Sequence, residues 1–164
     1  MSELSWAGGD FQQPPRTDGG VALCGSCSKR GECRLGLTTE SLAEDGTAVF
    51  ELTCPDTYEG GPGVAHGGWT AEVLDEVCGH VPLLNNQMSV TGTLTIKYVK
   101  PVPIGHPMEA TAWIEKIEGR KWTIAGELRL ASSGATLATA TGIWVARDKS
   151  AHFGAFERWL AEQS

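Results

Sequence analysis

Two periods govern the apolar positions of this chain, and the change from one to the other marks its elements. From Trp69 to about Val81 the spacing is helical. Steps of about 100° per residue put Trp69, Ala71, Val73, Leu74, Val77, Cys78 and Val81 on one continuous arc. Glu72, Glu76 and His80 fall on the opposite side, and Asp75 sits at the edge of the arc beside Ala71 and Cys78. Ahead of this helix, Ala48 to Leu52 reads as a short strand that ends at the Cys54-Pro55-Asp56 turn. Behind it, Met88 to Tyr98 alternates with period two: Val90, Leu94, Ile96 and Tyr98 on one face, Ser89, Thr91, Thr93, Thr95 and Lys97 on the other. The run Lys100-Pro101-Val102-Pro103 stops that strand.

Met108 to Ile117, Trp122 to Leu130 and Thr136 to Val145 are rich in β-formers, and turn signals at Glu118-Gly119 and Ser132-Ser133-Gly134 separate them. Connections this short predict an antiparallel meander. Phe153, Phe156, Trp159 and Leu160 recur at helical spacing and predict a short terminal helix, whose role is packing because no basic face accompanies it. A long helix set between a first strand and four hairpin-connected strands is an α+β pattern, with the helix covering one face of a five- to six-stranded antiparallel sheet. The chain therefore divides into an irregular amino-terminal arm (1–47), a single folded domain (48–146) and a carboxy-terminal helix (147–164).

Composition narrows the function classes. The 164 residues suit one domain, and 21 Gly with 8 Pro stay below the level of about 25–30 % that marks low-complexity chains. A net charge of −7 argues against nucleic acid, which is bound through clustered Lys and Arg. Nothing approaches the roughly 18 consecutive apolar residues of a membrane span. Five cysteines are odd in number for a disulfide scaffold and Met1 to Phe11 contain no signal-peptide core, so a reducing cytoplasm is the expected location.

The candidate chemistry gathers at the helix. Its start is His66-Gly67-Gly68, and the first amides of a helix have no internal partner and carry the positive end of the dipole. Such amides can hold a carbonyl oxygen that becomes negative, and glycine lets a ligand approach them closely. Asp75, bordering the apolar arc, is a carboxylate able to act as general base or nucleophile. It lies seven residues past Gly68, about 10 Å along the axis, whereas a catalytic group must come within about 3 Å of its target. One chain's Asp75 cannot serve its own helix start. Both act on one substrate only if two helices from two subunits meet across a two-fold axis.

The run from Glu59 through Gly63 to His66-Gly67-Gly68, followed by Leu74-Asp75-Glu76 and by Thr91 to Pro103, resembles the hotdog-fold acyl-CoA thioesterases. The likeness is to the phenylacetate-pathway branch of the 4-hydroxybenzoyl-CoA thioesterase superfamily, and it covers about residues 48–146. It implies a central helix wrapped by an antiparallel sheet, assembly as a homodimer or dimer of dimers, and hydrolysis of a coenzyme A thioester without a cofactor. By the same resemblance, a Gly68 amide polarises the thioester carbonyl, His66 and Gly67 shape that loop, Asp75 activates water or attacks directly, and Thr91 lines the site. Some relatives carry Asn in the loop where this chain has Glu59 and Gly60, and Glu59 is the available substitute for orienting water.

Substrate-binding candidates follow from the chemistry of coenzyme A. Its phosphates need cations, and Lys97, Lys100, Arg120 and Lys121 are the cluster available near strand ends. Trp69, next to the glycines, could wall an acyl pocket. Cys24, Cys27 and Cys33 have spacing that can hold zinc, but a structural site wants four ligands and no fourth follows nearby, so no metal is expected. The competing function is a hotdog domain that binds acyl-CoA or acyl-carrier thioesters without cleaving them. The reach argument makes the oligomeric state a direct test: sedimentation equilibrium should return a dimer or a dimer of dimers, and a strict monomer would overturn the shared-site mechanism.

Overall fold

A computed structural model describes residues 12–164. The signal-peptide reading of Met1–Phe11 lies outside the described residues. The elements in chain order are a short helix α1 (Gly25–Ser28), strands β1 (Leu37–Leu42) and β2 (Ala48–Thr53), a 3-10 turn at Asp56–Tyr58 and the central helix α2 (Gly67–Leu84). Strands β3 (Ser89–Tyr98), β4 (Pro107–Glu118), β5 (Lys121–Leu130) and β6 (Thr136–Ala146) follow, and helix α3 (Lys149–Glu162) ends the chain. All six strands form one antiparallel sheet in the order β1-β2-β4-β5-β6-β3. No helix among the described residues is long and apolar enough to cross a membrane.

The apolar arc of α2 lies on the sheet as its spacing predicts, with Trp69, Val73, Leu74, Val77, Cys78 and Val81 all buried. The sheet makes room for it with short side chains. Ala112, Gly126 and Ala140 are register partners across three neighbouring strands, and Ala110 and Ala138 flank them. A Cβ on Gly126 would stand 2.7 Å from the Cys78 sulfur, so helix and sheet meet there at the closest approach the backbone allows.

The structure corrects the sequence reading in three places. Strand β1 lies within the segment read as arm, so the sheet begins at Leu37 rather than at residue 48. Its sequence, Leu-Thr-Thr-Glu-Ser-Leu, buries only Leu37 and Glu40, which hides the strand from any hydrophobic count. Secondly, only β4-β5-β6 form a meander. Helix α2 carries the chain across the sheet to its far edge, and β3 pairs there with β6 and with no other strand. Thirdly, Gly92 is the extra residue of a β-bulge between Thr91 and Thr93, because Thr91 pairs with Trp144 and Thr93 with Ile143. The bulge turns Thr91 onto the helix side, the face it was expected to oppose.

The outer side of α2 is also covered. Gln13 donates to the Leu83 carbonyl and to Asn86 Oδ1, both at 2.8 Å, fastening the arm to the end of the helix. Arg16 Nη1 donates to Glu40 Oε2 at 2.6 Å, and Glu40 in turn meets His80 Nδ1. The other imidazole nitrogen lies 2.9 Å from Glu76, and the ring packs against Phe50 with centroids 6.0 Å apart. Glu76 and His80 are thus part of a buried charged network joining α2, β1 and the arm, and only Glu72 of the three remains exposed.

Burial works against charge on His80, but hydrogen bonds to Glu40 and Glu76 overcome it and push its pKa up to about 9. Burial likewise opposes ionisation of Glu40, yet His80 and Arg16 bring its pKa below the ordinary carboxylate value. A raised histidine contributes stability that is complete below the unfolded pKa of 6.5 and lost as pH rises through about 9. That shift corresponds to roughly 3 kcal/mol. The melting temperature of the wild type should therefore fall between about pH 6.5 and 9, and His80→Gln should flatten that limb while lowering the plateau; a parallel wild-type and variant profile by calorimetry would contradict the assignment.

Candidate functional site

The loop before α2 is fixed by its own backbone. Gly60 and Val64 pair across it at 2.8 Å, Ala65 N–H donates to the Val102 carbonyl at 2.8 Å, and His66 N–H donates to the Tyr58 carbonyl at 2.7 Å. A Cβ at residue 60 would stand 3.0 Å from the His66 Cα, a tight approach that glycine relieves. Glu59 Oε1 accepts from the Gly63 amide at 2.6 Å, so its carboxylate braces this loop.

His66 is the N-cap of α2. Its Nδ1 accepts from the Gly68 amide at 2.9 Å, and its carbonyl accepts from Trp69 N–H at 2.9 Å. The Gly68 amide, the donor expected from the sequence, is therefore already engaged. Among the described residues the Gly67 amide has no acceptor, and it stands at the exposed helix start beside a cleft of about 320 Å³ lined by Val64, Thr70, Tyr98 and Lys100. Tyr98 Oη donates to the Gly67 carbonyl at 2.8 Å and pins this end of the helix to β3.

The second end is built the same way. Asp75 is half-buried, and Thr91 Oγ1 donates to its Oδ1 at 2.6 Å, which leaves the other carboxylate oxygen for chemistry. Strand β3 thus touches α2 at Thr91 and again at Tyr98, opposite Trp144 and Ala138 of β6, six positions apart or about 20 Å along the strand. The helix start and the carboxylate do not meet within one chain.

Other candidates are sorted by the same register. Lys97 pairs with Thr139 and lies with Lys100 at the Gly67 end, whereas Lys121 pairs with Val145 and lies with Arg120 at the Asp75 end. The four cations form two groups, not one cluster. Trp69 is fully in the core, its indole N–H donating to the Leu35 carbonyl at 3.1 Å, so it walls no pocket. Of the amino-terminal cysteines, Cys24 is exposed, Cys33 partly buried and Cys27 buried, with Cys27 Sγ accepting from Arg34 N–H at 3.4 Å. Among the described residues no three His, Cys, Asp or Glu side chains form a metal-holding group. Tyr98 was missed by sequence reasoning as a site residue because it counts as one more apolar position. The lone glycine inside an alternating strand was the available signal for the bulge that re-aims Thr91.

A thioesterase superfamily model matches residues 62–136, the stretch that holds both ends of this arrangement. The acyl-coenzyme A thioesterase THEM4 of Xenopus laevis is 31% identical, over 66% of this chain and 55% of that protein. The chain is similar to thioesterase superfamily proteins across its central helix and the strands that follow it. It spans about half the length of that curated relative. Its hotdog fold is shared with the Escherichia coli PaaI protein of the phenylacetic acid degradation operon, at a TM-score of 0.63 and 21% identity over 73% of this chain and 87% of that one. A hypothetical thioesterase from Streptococcus pneumoniae, solved with coenzyme A, gives a TM-score of 0.61 at 18% identity, covering 66% of this chain and 84% of the other. Structures under that same description also carry an aspartate or a threonine changed to alanine, at positions sixteen residues apart.

As the N-cap of α2, His66 contributes to the stability of the helix. His66→Ala should lower the denaturant midpoint by the equivalent of about 1 kcal/mol, and His66→Asn, a good N-cap, should restore most of it. Equal stabilities for all three proteins would remove the capping role.

Proposed function

We propose that this chain hydrolyses acyl-coenzyme A thioesters at sites shared between two copies of itself. The observation that carries the reading is the placement of the Gly67 amide and the Asp75 carboxylate at opposite ends of β3, a ten-residue strand with one unpaired edge. An unpaired edge without proline is a template for another strand. Antiparallel pairing of β3 with its copy, about a two-fold axis near the strand centre, brings the Thr91 end of one subunit to the Tyr98 end of the other. Two equivalent sites result, each with Gly67 from one chain and Asp75 from its partner. The same operation gathers Lys97 and Lys100 with the partner's Arg120 and Lys121, giving the phosphates of coenzyme A a cationic surface that neither chain has alone.

In each site the Gly67 N–H, at the positive end of α2, holds the thioester oxygen as it becomes negative. Asp75, steadied through Oδ1 by Thr91, takes a proton from water on its free oxygen as that water attacks the carbonyl carbon. Collapse of the tetrahedral adduct breaks the carbon–sulfur bond, and the proton passes to the departing thiolate, leaving the carboxylic acid and coenzyme A. The names of the curated relatives and the coenzyme A bound to a protein of this fold support the substrate class. Asp75 and Thr91 also stand sixteen residues apart, the spacing of the two positions altered in the streptococcal structures.

Thiol release from a panel of acyl-CoA esters tests the reading. Asp75→Asn should lower kcat/KM by about a thousandfold, within the range for loss of a general base. Gly67→Pro deletes one amide at the first helical position, where proline is tolerated, and should cost about a hundredfold. Co-expression of the two inactive chains should recover about a quarter of the wild-type activity, because half of the dimers are mixed and each of these has one intact site. Hydrolysis by Asp75→Asn at the parental rate, or no cleavage of any ester, would overturn the proposal; mixed dimers without activity would overturn the shared site.

A further inference from the structure

Cys24 and Cys27 take no part in the proposed hydrolysis, and they are arranged as a dithiol. They stand three residues apart on the single turn of α1, Cys24 as its N-cap and Cys27 inside it. On a helical turn this spacing puts the two Cα atoms about 5 Å apart, inside the span of about 4.4–6.8 Å that a disulfide bridges. Both are free thiols in this structure, so the pair is reduced. Their access differs. Cys24 is exposed and borders a cavity of about 370 Å³ between the arm, the outer side of α2 and the first turn of α3. Cys27 is buried, its sulfur accepting from Arg34 N–H at 3.4 Å. A small molecule can therefore reach the first sulfur but not the second.

Burial opposes ionisation of Cys24, but the Cys27 amide and thiol and the Ser26 amide beside its sulfur outweigh it and bring its pKa below the ordinary thiol value. Burial acts unopposed in sign elsewhere, pushing Cys33 up, Cys54 to about 11 and Cys78 to about 12. The thiolate is the nucleophilic form, so the exposed member of the pair is also the reactive one. We propose that Cys24 and Cys27 form a thiol–disulfide exchange site that is oxidised by low-molecular-weight peptide disulfides, with Cys24 as the attacking and Cys27 as the resolving thiol. The Cys24 thiolate attacks one sulfur of the small disulfide, whose S–S bond breaks; a mixed disulfide forms on Cys24 and the other half leaves as a thiolate. Cys27, its proton lost to water, then attacks the Cys24 sulfur, the bond closes between the two cysteines and the second thiolate leaves. Two protein thiols are oxidised as one small disulfide is reduced to two thiols. Lys149, in the wall of the same cavity, offers a cation to the carboxylates of such a peptide.

The exchange is independent of thioester hydrolysis and is read without any acyl-CoA. Reduced full-length protein is incubated with oxidised glutathione, quenched in acid, and mapped by mass spectrometry after the remaining thiols are alkylated. The wild type should lose two hydrogens and carry a bond between Cys24 and Cys27. Cys27→Ser should stop at the mixed disulfide, with glutathione held on Cys24, and Cys24→Ser should stay reduced. Cys33→Ser should behave as the parent does, since Cys33 lies beyond α1 and is only partly exposed. Cys27 is a core residue, so Cys27→Ala gives the same readout if the serine variant folds poorly. A bond that joins Cys33, a wild type that stays reduced or retains glutathione, or a Cys24→Ser protein oxidised at the parental rate would each overturn the proposal.

Discussion

Everything in this molecule depends on how closely α2 lies against the sheet. Ala112, Gly126 and Ala140 form a row of small residues beneath it, and at Gly126 even one added carbon would collide with Cys78. Larger side chains there would lift the helix, at a cost of about 1–3 kcal/mol for the strain of overpacking a site. More would be lost than stability. The hydrogen bonds from Tyr98 to Gly67 and from Thr91 to Asp75 both span the gap between helix and edge strand, and each tolerates only a few tenths of an ångström. The depth at which the helix sits therefore sets the aim of both candidate functional groups at once.

Strand β3 converts that packing into a possible chemistry. It is at once a structural edge and the ruler along which the helix start and the carboxylate are spaced. Six positions of β6 separate its two attachment points, too far for one substrate carbonyl to feel both groups of one chain. A strand that pairs with an antiparallel copy exchanges its ends, and this alone turns two half-sites into two whole ones. The bulge at Gly92 serves the same end, because without it Thr91 would point away from α2 and the Asp75 carboxylate would lose the hydroxyl that orients it.

Much of this was legible in the residue pattern, and what was not has identifiable causes. The 3.6-residue period of Trp69 to Val81 located the helix because one face of it is continuously apolar, and the period-two strands after it were bounded by unmistakable turns. Strand β1 was invisible because an edge strand whose buried positions include a charged Glu40 has no apolar alternation to detect. The face of Thr91 was misread because alternation presumes an unbroken pleat. The pairing of β3 with β6 was inaccessible for another reason: short connections predict neighbours, and a helix crossing the sheet delivers the next strand to the wrong edge for a meander. His66-Gly67-Gly68 and Asp75 could be picked out, yet which glycine amide is free depends on where the His66 ring turns, and no spacing encodes a rotamer.

The charged network under the arm shows why the missed elements belong together. Glu40 alone would be a buried carboxylate without compensation, and His80 alone a buried imidazolium; removal of one partner from such a pair commonly costs 3–5 kcal/mol. Their presence makes sense only with Arg16 and Glu76 completing the set, which requires the arm, β1 and α2 to meet in one register. Apolar contacts between the same elements could slide, whereas charge-assisted hydrogen bonds of fixed direction cannot. The network thus sets where the arm lies over α2, and with it how Pro14 and Leu23 of the arm face Leu83 of the helix. The polar residues of the arm, which looked like the least structured part of the sequence, determine how that arm is seated on the central helix and on β1.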